Sequence, residues 1–482
     1  MRLLPTVLVS LCFSFALYAQ QASTRLAGMG NVSIAVPDPE SEAFSNPAKA
    51  TRMKGILVRA NPSYLRFSKS QDFSSSSGTP SYVNSSKSSN DYTLSNALLP
   101  FDALLSLNPF YVGGSFSYLA NSSESSYDYQ YSYPGSISTS KSKVESSPSG
   151  TSYGLLVALD VGVIALGAGV SFSQGSSDDK NFYSDAYTNN PPTVNESASK
   201  SESDVKIYRV GLLYGSTDAV EVSFLGSMQP QTSEQKFTRL VYSGQPQPDL
   251  PTYLSDGTDY NLLGEVRCRL TDQILAGVRF TFSSSKVDES RKSTWYDALT
   301  LQGVYQERKI AVVEVSAYQF GGGLSWQISS GGIIAAEFVL APATNSTRDF
   351  YTVDGTKSDG SPYRRGEISL EEEYKILSQI VRLGSEFSVG PDITLRLGAE
   401  VNWLSSDRSS KYTYDFSRIS SNGMTGISFT GVGGFSYNIA SLRFDYTLMF
   451  LSQPIPVSYF SPYLYYAQDL YLRHTLTAVL QL

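Results

Sequence analysis

Residues 390–403 read Gly-Pro-Asp-Ile-Thr-Leu-Arg-Leu-Gly-Ala-Glu-Val-Asn-Trp, a turn followed by a strictly alternating stretch. The apolar side chains from Ile393 to Trp403 fall on one face, whereas Arg396 and Glu400 fall on the other. Successive side chains of a β-strand point to opposite faces. Such a strand is typical of an outer-membrane β-barrel, with its apolar face towards lipid and its polar face inward. A soluble barrel would reverse the two faces.

The residues ahead of this turn predict the register of a hairpin. If residues 390–392 form the loop, Glu386 lies opposite Arg396 and Arg382 lies opposite Glu400. Facing charges of opposite sign stabilise a strand pair by only about 0.2–1 kcal/mol. The two pairs therefore indicate register more than stability, because a register slipped by two residues would not give both of them on the inner face.

A second hairpin can be treated in the same way. With residues 271–273 as the loop, Glu265 lies opposite Arg279. The inward charges of the two hairpins have two interpretations, and the sequence leaves both open. They are either satisfied ion pairs of a hydrated wall, or groups that hold a plug or the carboxylate headgroup of a ligand.

Alternating segments recur from Gly55 to the C-terminus, joined in turn by tight and long connections. The tight ones lie near residues 108–109, 160, 216–218, 271–272, 331–332, 390–392 and 440–441. The long ones are Ser/Tyr/Asn-rich stretches, roughly 68–91, 121–148, 174–203, 229–257, 287–308, 345–371, 406–422 and 453–469. Short turns at one end and long loops at the other are typical of an outer-membrane barrel. The sequence thus predicts an all-β, antiparallel transmembrane barrel of about sixteen strands.

The segment before Gly55 has no period of a helix or a strand. It contains Gly28 and Gly30, then Asp38, then Asn46-Pro47-Ala48. A glycine lets the backbone run close to a wall where a β-carbon would clash. Asn46 carries a donor and an acceptor, so it can bind its own backbone or inward-facing charges.

This arrangement resembles the N-terminal hatch of FadL-type outer-membrane transporters, in which a Gly-x-Gly is followed by an acidic residue and Asn-Pro-Ala. The resemblance implies fourteen strands, a hatch inside the barrel, and a lateral gap where the third strand kinks, here at Gly113-Gly114. It also implies a hydrophobic small-molecule ligand. The expected divisions are a signal peptide at 1–19, a hatch (plug) at 20–54 and the barrel at 55–482.

The first residues indicate export. Met1-Arg2 precedes an apolar run from Leu3 to Tyr18 that is shorter than the ~20 residues of a spanning helix, and Ala19 suits cleavage. Cys268 is the only cysteine after that point, so no intramolecular disulfide can form. We expect the outer membrane of a diderm, Gram-negative-type bacterium, with outer-membrane lipid and lipopolysaccharide as its surroundings.

Residues for catalysis are nearly absent. The single histidine, His474, makes a Ser-His-Asp site improbable and a His-rich metal site impossible. Gly28-Met-Gly30 has no strand–turn–helix context, so it is no dinucleotide loop. The net charge of -7 argues against a nucleic-acid partner. We expect no enzyme activity, no cofactor and no metal.

The sequence favours passive uptake of hydrophobic small molecules, such as long-chain fatty acids, through a plugged barrel. The alternative is a barrel of the same superfamily that acts as a shuttle or protein-binding component of a type IX-like secretion system. Its support would be long Tyr/Ser-rich loops such as residues 127–133. A general porin is disfavoured because a plug would block an aqueous channel.

Overall fold

The computed structural model describes residues 24–79, 82–133, 136–188, 190–215, 219–242, 245–246, 249–296, 303–329, 331–356, 361–412, 418–420, 424–454 and 468–481. The predicted signal peptide lies outside them. The chain begins with two short α-helices, α1 (Thr24–Gly28) and α2 (Pro39–Ser45), and a 3₁₀-helix (Pro47–Arg52). No described helix is long and apolar enough to cross a membrane.

Strands make up almost all of the rest. In chain order they are β1 (Ile56–Ala60), β2 (Ser63–Thr79), β3 (Tyr82–Leu107), β4 (Phe110–Tyr133), β5 (Ser136–Asp160), β6 (Ile164–Tyr187), β7 (Asn190–Gly215), β8 (Val220–Tyr242), β9 (Gln245–Pro246), β10 (Thr252–Arg269), β11 (Ile274–Tyr296), β12 (Gly303–Ser329), β13 (Gly332–Phe350), β14 (Gly355–Thr356), β15 (Pro362–Tyr363), β16 (Ile368–Ser388), β17 (Ile393–Tyr412), β18 (Arg418–Ser420), β19 (Met424–Ile439), β20 (Leu442–Pro454) and β21 (Gln468–Gln481).

These strands form a closed antiparallel barrel of sixteen strands. Neighbours in sequence pair with each other, and β21 closes the ring by pairing with β1 and β2, which together make the first strand. The number agrees with the count from the sequence and differs from the fourteen that the family resemblance implied. We call the end at which β3 turns into β4 the near end, and the opposite one the far end.

The predicted hairpin registers are confirmed. Glu386 lies opposite Arg396 and Arg382 opposite Glu400 across the β16–β17 turn. Glu265 lies opposite Arg279 across the β10–β11 turn. The other predicted tight turns also fall between strands at the near end, apart from residues 216–218, which lie outside the described residues.

Most of the predicted long loops are wrong, although a long connection, in which β14 and β15 are the only described strands, does lie between β13 and β16, and most of 453–469 lies outside the described residues. Most of those Ser/Tyr/Asn-rich stretches continue the strands, so that β4 runs to Tyr133 and β5 begins at Ser136. The pairing is continuous, with Tyr127 opposite Ser142 and Tyr131 opposite Ser138. These segments looked like loops because they are polar on both faces. A strand needs an apolar face only where that face is buried or meets lipid.

The outer face of the wall therefore has two zones. Near the turns it exposes large apolar side chains, which on β4 are Phe110, Val112, Phe116 and Tyr118. The same zone occurs on the other long strands, and we call it the apolar band. Beyond it the outer face carries ion pairs in water, such as Lys143 with Glu124 at 2.9 Å and Lys309 with Asp288 at 2.7 Å.

The lateral gap expected at Gly113-Gly114 is absent from the described wall. Both residues keep their partners on β3 and on β5 without a shift of register. A β-carbon on Gly113 would lie 2.9 Å from Leu104 Cδ1 and 3.1 Å from Leu156 Cγ. The glycine thus makes room for close side-chain packing, and no kink follows from it.

Candidate functional site

The candidate site is the contact between residues 24–54, which we call the N-terminal segment, and one face of the strands, which we call the inner face. The segment is short of regular structure, yet Met29, Val32, Ala35 and Ala43 are completely or almost completely buried. Its partners lie on strands all around the ring. They include Gly167 on β6, Gly211 on β7, Gly277 on β11, Gly321 and Gly323 on β12, Gly384 on β16, Gly398 on β17 and Gly434 on β19.

Gly28 and Gly30 lie where the backbone meets the wall, as the sequence predicted. Gly30 has φ +70, in the left-handed region, and a β-carbon there would lie 2.8 Å from the backbone nitrogen of Ala399. On the other side of the contact, a β-carbon on Gly398 would overlap the nitrogen of Gly30. Two glycines facing each other thus allow backbone to pack directly on backbone.

The Asn46-Pro47-Ala48 motif lies against β6, β7 and β8. The Asn46 side chain accepts a hydrogen bond from Ala48 N at 3.1 Å, and it donates one to the Phe224 carbonyl at 3.2 Å. The predicted bond to its own backbone is confirmed, while the second partner is a strand carbonyl and no charged group. Pro47 and Ala48 contact Gly167, and Ala48 packs with Ala165 and Leu213.

Asp38, the acidic residue of the motif, is buried just ahead of α2. Its carboxylate accepts a hydrogen bond from the Ser41 hydroxyl at 2.9 Å. Its backbone carbonyl accepts one from Glu42 N at 2.9 Å. Asp38 therefore fixes the first turn of α2.

A buried ionic cluster joins α2 and the 3₁₀-helix to β8, β10 and β11. Lys49 Nζ lies 2.7 Å from Glu265 and 3.3 Å from Glu42. Arg267 pairs with both of those carboxylates. We call this set cluster A, and it comprises Glu42, Lys49, Arg52, Glu221, Glu265, Arg267 and Arg279. Each of its three carboxylates pairs with three of its four cations, so that no buried charge of the set is left without a partner.

Cluster A also holds the backbone of the segment. Arg267 Nε donates to the Ile34 carbonyl at 2.8 Å, and Arg279 donates to the Ser33 hydroxyl at 2.9 Å. The backbone N–H groups of Ser33 and Ile34 donate to the carboxylate of Glu337 on β13. A loop without secondary structure of its own has its buried backbone groups satisfied in this way.

A second ionic chain, cluster B, lies near β16, β17 and β20. Arg25 pairs with Glu386 at 3.0 Å, and the same carboxylate binds Arg396 at 2.7 Å. Arg396 continues to Asp445 at 3.1 Å. Asp445 and Glu40 are then joined by Arg443. The Glu386–Arg396 pair, predicted from the register, thus belongs to a chain of charges. This chain begins at Arg25 and ends at Glu40, and both of these residues lie in the N-terminal segment.

The predicted inward charges are therefore brought together with the segment to different extents. Glu265, Arg279, Glu386 and Arg396 all bind it directly or through one partner. Arg382 and Glu400 pair with each other at 2.7 Å, and Arg382 also lies 3.7 Å from Glu337. The sequence did not single out Glu40, Glu42, Lys49 and Arg52, although charges within a small-residue, apolar segment signal buried ion pairing.

The charge state of the segment follows from these contacts. Burial alone would raise the pKa of Glu42, but Lys49, Arg267 and Arg52 outweigh it and hold that pKa below its ordinary 4.5. Burial lowers the pKa of Lys49, and Glu42 and Glu265 oppose that shift. Because the pKa of Glu42 is lowered, its stabilising contribution is complete above pH 4.5 and is lost on acidification below that value.

We expect Glu42→Gln to loosen the segment selectively, since Lys49, Arg52 and Arg267 each lose a carboxylate partner. Removing one member of a buried ion pair costs about 3–5 kcal/mol. Hydrogen exchange of the amides at 24–52 should therefore accelerate by at least a hundredfold while strand amides stay protected. The control is Glu145→Gln, which removes an exposed partner of Lys143. It should change the exchange neither of the amides at 24–52 nor of the strand amides. Unchanged protection in Glu42→Gln would contradict a central place for Glu42.

A small cavity of about 80 Å³ lies between the segment and the strands β1, β3, β4, β5, β6 and β7. Its walls combine an apolar part, with Phe44, Pro47 and Ile207, and a polar part with Ser171 and Arg209. The Arg59–Asp102 pair, 2.5 Å apart, borders it. Among the described residues, no group of His, Cys, Asp or Glu is arranged to hold a metal ion.

No protein-family model and no curated protein matches the chain. Its fold is similar to solved FadL-type transporters. One is the toluene transporter TbuX of Ralstonia pickettii, at 10% identity and a TM-score of 0.39, over 95% of this chain and 98% of that one. Another is the toluene transporter TodX of Pseudomonas putida, at 11% identity and a TM-score of 0.40, over 95% of this chain and 96% of that one. A third is a FadL homologue of Pseudomonas aeruginosa, at 11% identity and a TM-score of 0.40, over 95% of this chain and 98% of that one.

Proposed function

We propose that the protein is an outer-membrane barrel that takes up hydrophobic small molecules, with residues 20–54 as its hatch. The observation that carries this proposal is the single short segment that contacts strands all around a closed ring. Only the interior of a barrel gives a short segment access to β6, β11, β16 and β19 at once. A hatch held among the strands by two buried ionic clusters would obstruct an aqueous channel, which disfavours a general porin.

The apolar band supports the membrane location. Soluble monomers rarely expose apolar patches larger than a few hundred Å². Here such side chains face outward on strand after strand, and aromatic residues such as Tyr118, Tyr153, Tyr208, Tyr260 and Trp403 lie towards the side of the far end. An aromatic girdle at the upper edge of an apolar zone is typical of barrels in the outer membrane of diderm bacteria.

The strands are longer than this membrane requires. A spanning strand needs about 9–11 residues, whereas β4 has 24 and β7 has 26. The remaining residues would raise the far end roughly 30 Å above the hydrocarbon layer at usual rise and tilt. Such a tube would cross the polar saccharide layer of lipopolysaccharide, which resists apolar solutes, and present the mouth of the barrel outside it.

A hydrophobic ligand is supported by apolar side chains next to the segment on the inner face. Val339 and Val432 are buried there, and Val339 lies beside Ile34 at Gly321. The ligand we propose is a long-chain fatty acid or another compound with an apolar body. The secretion-shuttle alternative loses its sequence support, because residues 127–133 belong to β4 and form no loop.

The membrane placement predicts a sharp labelling boundary. In a Cys268→Ala background, a cysteine in place of Phe116 should be protected from a membrane-impermeant maleimide on whole cells, because it lies in the apolar band. A cysteine in place of Ser126 on the same face of β4 should react rapidly. Both positions should react after the membrane is dissolved in detergent. Equal reactivity on intact cells would refute the placement of the band.

A further inference from the structure

The outer wall carries a deep apolar groove of about 700 Å³ across β8, β10, β11, β12 and β13. Cross-strand register arranges its lining in two adjacent rows. The first row is Phe224, Gly264, Phe280, Phe320 and Leu340. The second is Val266, Val278, Gly322 and Phe338. Each row is thus interrupted by one glycine, and the missing side chains make the groove.

The floor of the groove is open at Gly322, whereas the ring of Phe224 lies against Gly264. A β-carbon on Gly322 would have a single neighbour at 4.0 Å, the carbonyl oxygen of Gly277. A β-carbon on Gly264 would touch only the ring of Phe224, at 3.4 Å. Glycine is needed on the inner face for a different reason, because there the N-terminal segment occupies the space that a side chain would fill. On the outer face, nothing in the described chain fills the gap at Gly322.

We propose that this groove is a binding site for one hydrocarbon chain of a membrane lipid. The proposal rests on the membrane placement given above and is independent of uptake. The groove lies within the apolar band, and the side chains that project into it are apolar. Glu265 and Arg279 also border the groove, but their charged groups point to the inner face and pair with each other there.

The dimensions favour a single chain over a protein partner. Phe224 and Phe280 flank Gly264 from the two neighbouring strands. Backbones two strands apart are separated by roughly 9.6 Å, and the two rings narrow that gap further. A helix with its side chains needs about 10–12 Å, whereas an extended alkyl chain is about half as wide. The volume also matches small-molecule sites of about 300–1,000 Å³.

The test counts the lipids that stay bound to the purified barrel by native mass spectrometry, after reconstitution with palmitoyl-oleoyl phospholipid. The variant Gly264→Leu/Gly322→Leu adds a side chain at both positions, where it enters open space at Gly322 and displaces the ring of Phe224 at Gly264. The matched control is Gly433→Leu, on the outer face of β19, where a β-carbon would meet nothing within 4 Å. Each methylene excluded from the groove lowers the affinity by about fourfold.

We expect wild type and Gly433→Leu to retain one phospholipid that the double variant loses, with affinity lower by at least tenfold. Equal lipid retention in all three proteins would overturn the proposal. A wild-type dimer that dissociates in the double variant would also overturn it, because the occupant would then be a second copy. Failure of the membrane placement is distinguishable, since none of the proteins would then insert into the bilayer.

Discussion

Deletion of residues 21–50 should leave a folded, heat-resistant barrel whose conductance in a planar bilayer rises by at least tenfold. The strands close the ring through β21 with β1 and β2, and that pairing uses no residue of the deleted segment. Glu221, Glu265, Arg267 and Glu386 lose their partners in the deleted segment but keep partners on the wall, and the vacated space admits water that hydrates them. The barrel therefore survives, whereas selective passage gives way to leakage of small polar solutes.

The measurement pairs conductance with uptake of labelled long-chain fatty acid by cells. A rise in conductance with preserved hydrophobic uptake would support a gate and leave the choice of ligand to competition experiments with other apolar compounds. If the deletion changes neither quantity, the segment is no hatch and the proposed function loses its main support. A variant that removes the exposed Lys309–Asp288 pair, Lys309→Ala, serves as the control and should alter neither.

The sequence predicted the wall well because a strand in lipid has a strong period of two. The pairs Glu386–Arg396 and Arg382–Glu400 then fixed the register, since only one loop length sets both pairs directly opposite each other. The strand count followed from the same alternation. It was a better guide than the resemblance to a family of fourteen-stranded barrels.

The far ends of the strands could not be predicted from the same signal. Beyond the apolar band the outer face of a strand no longer meets lipid, so the alternation of apolar and polar residues disappears. Residues 121–133, rich in Ser and Tyr, are as compatible with a loop as with β4. What decides between them is cross-strand pairing, such as Lys143 with Glu124, and that pairing depends on residues distant in sequence.

Only part of the candidate site could be predicted from the sequence, because the contacts of the other part also depend on residues distant in sequence. Gly28, Gly30 and Asn46 carry local signals, because close approach and a capped turn limit the residue types that fit. Lys49 and Glu42 carry only the weak signal of charges among small apolar residues, since their partners on the wall lie on β8 and β10, more than 170 residues away. A charge in a short helix looks solvated until the strand that pairs with it is placed beside it.

Gly398→Ala should displace the hatch with a single methyl group. A β-carbon there overlaps the nitrogen of Gly30 and lies 2.6 Å from its Cα, and both are backbone atoms that cannot rotate away. Overpacking a well-packed core costs about 1–3 kcal/mol, and a backbone clash belongs at the upper end. Since 1.4 kcal/mol corresponds to a tenfold change in an equilibrium constant, open-channel events should become at least tenfold more frequent.

The matched control is Gly433→Ala, one strand away on the outer face, where a β-carbon meets nothing within 4 Å. It adds the same methyl group and the same strand preference without touching the segment. Both variants should keep the heat resistance of the barrel, because the pairing of Gly398 with Gly384 and Val432 is made by the backbone. Hydrogen exchange at residues 24–52 should accelerate in Gly398→Ala alone. Equal channel activity in the two variants would mean that Gly30 does not rest on this wall, and the hatch would have to be sought elsewhere in the chain.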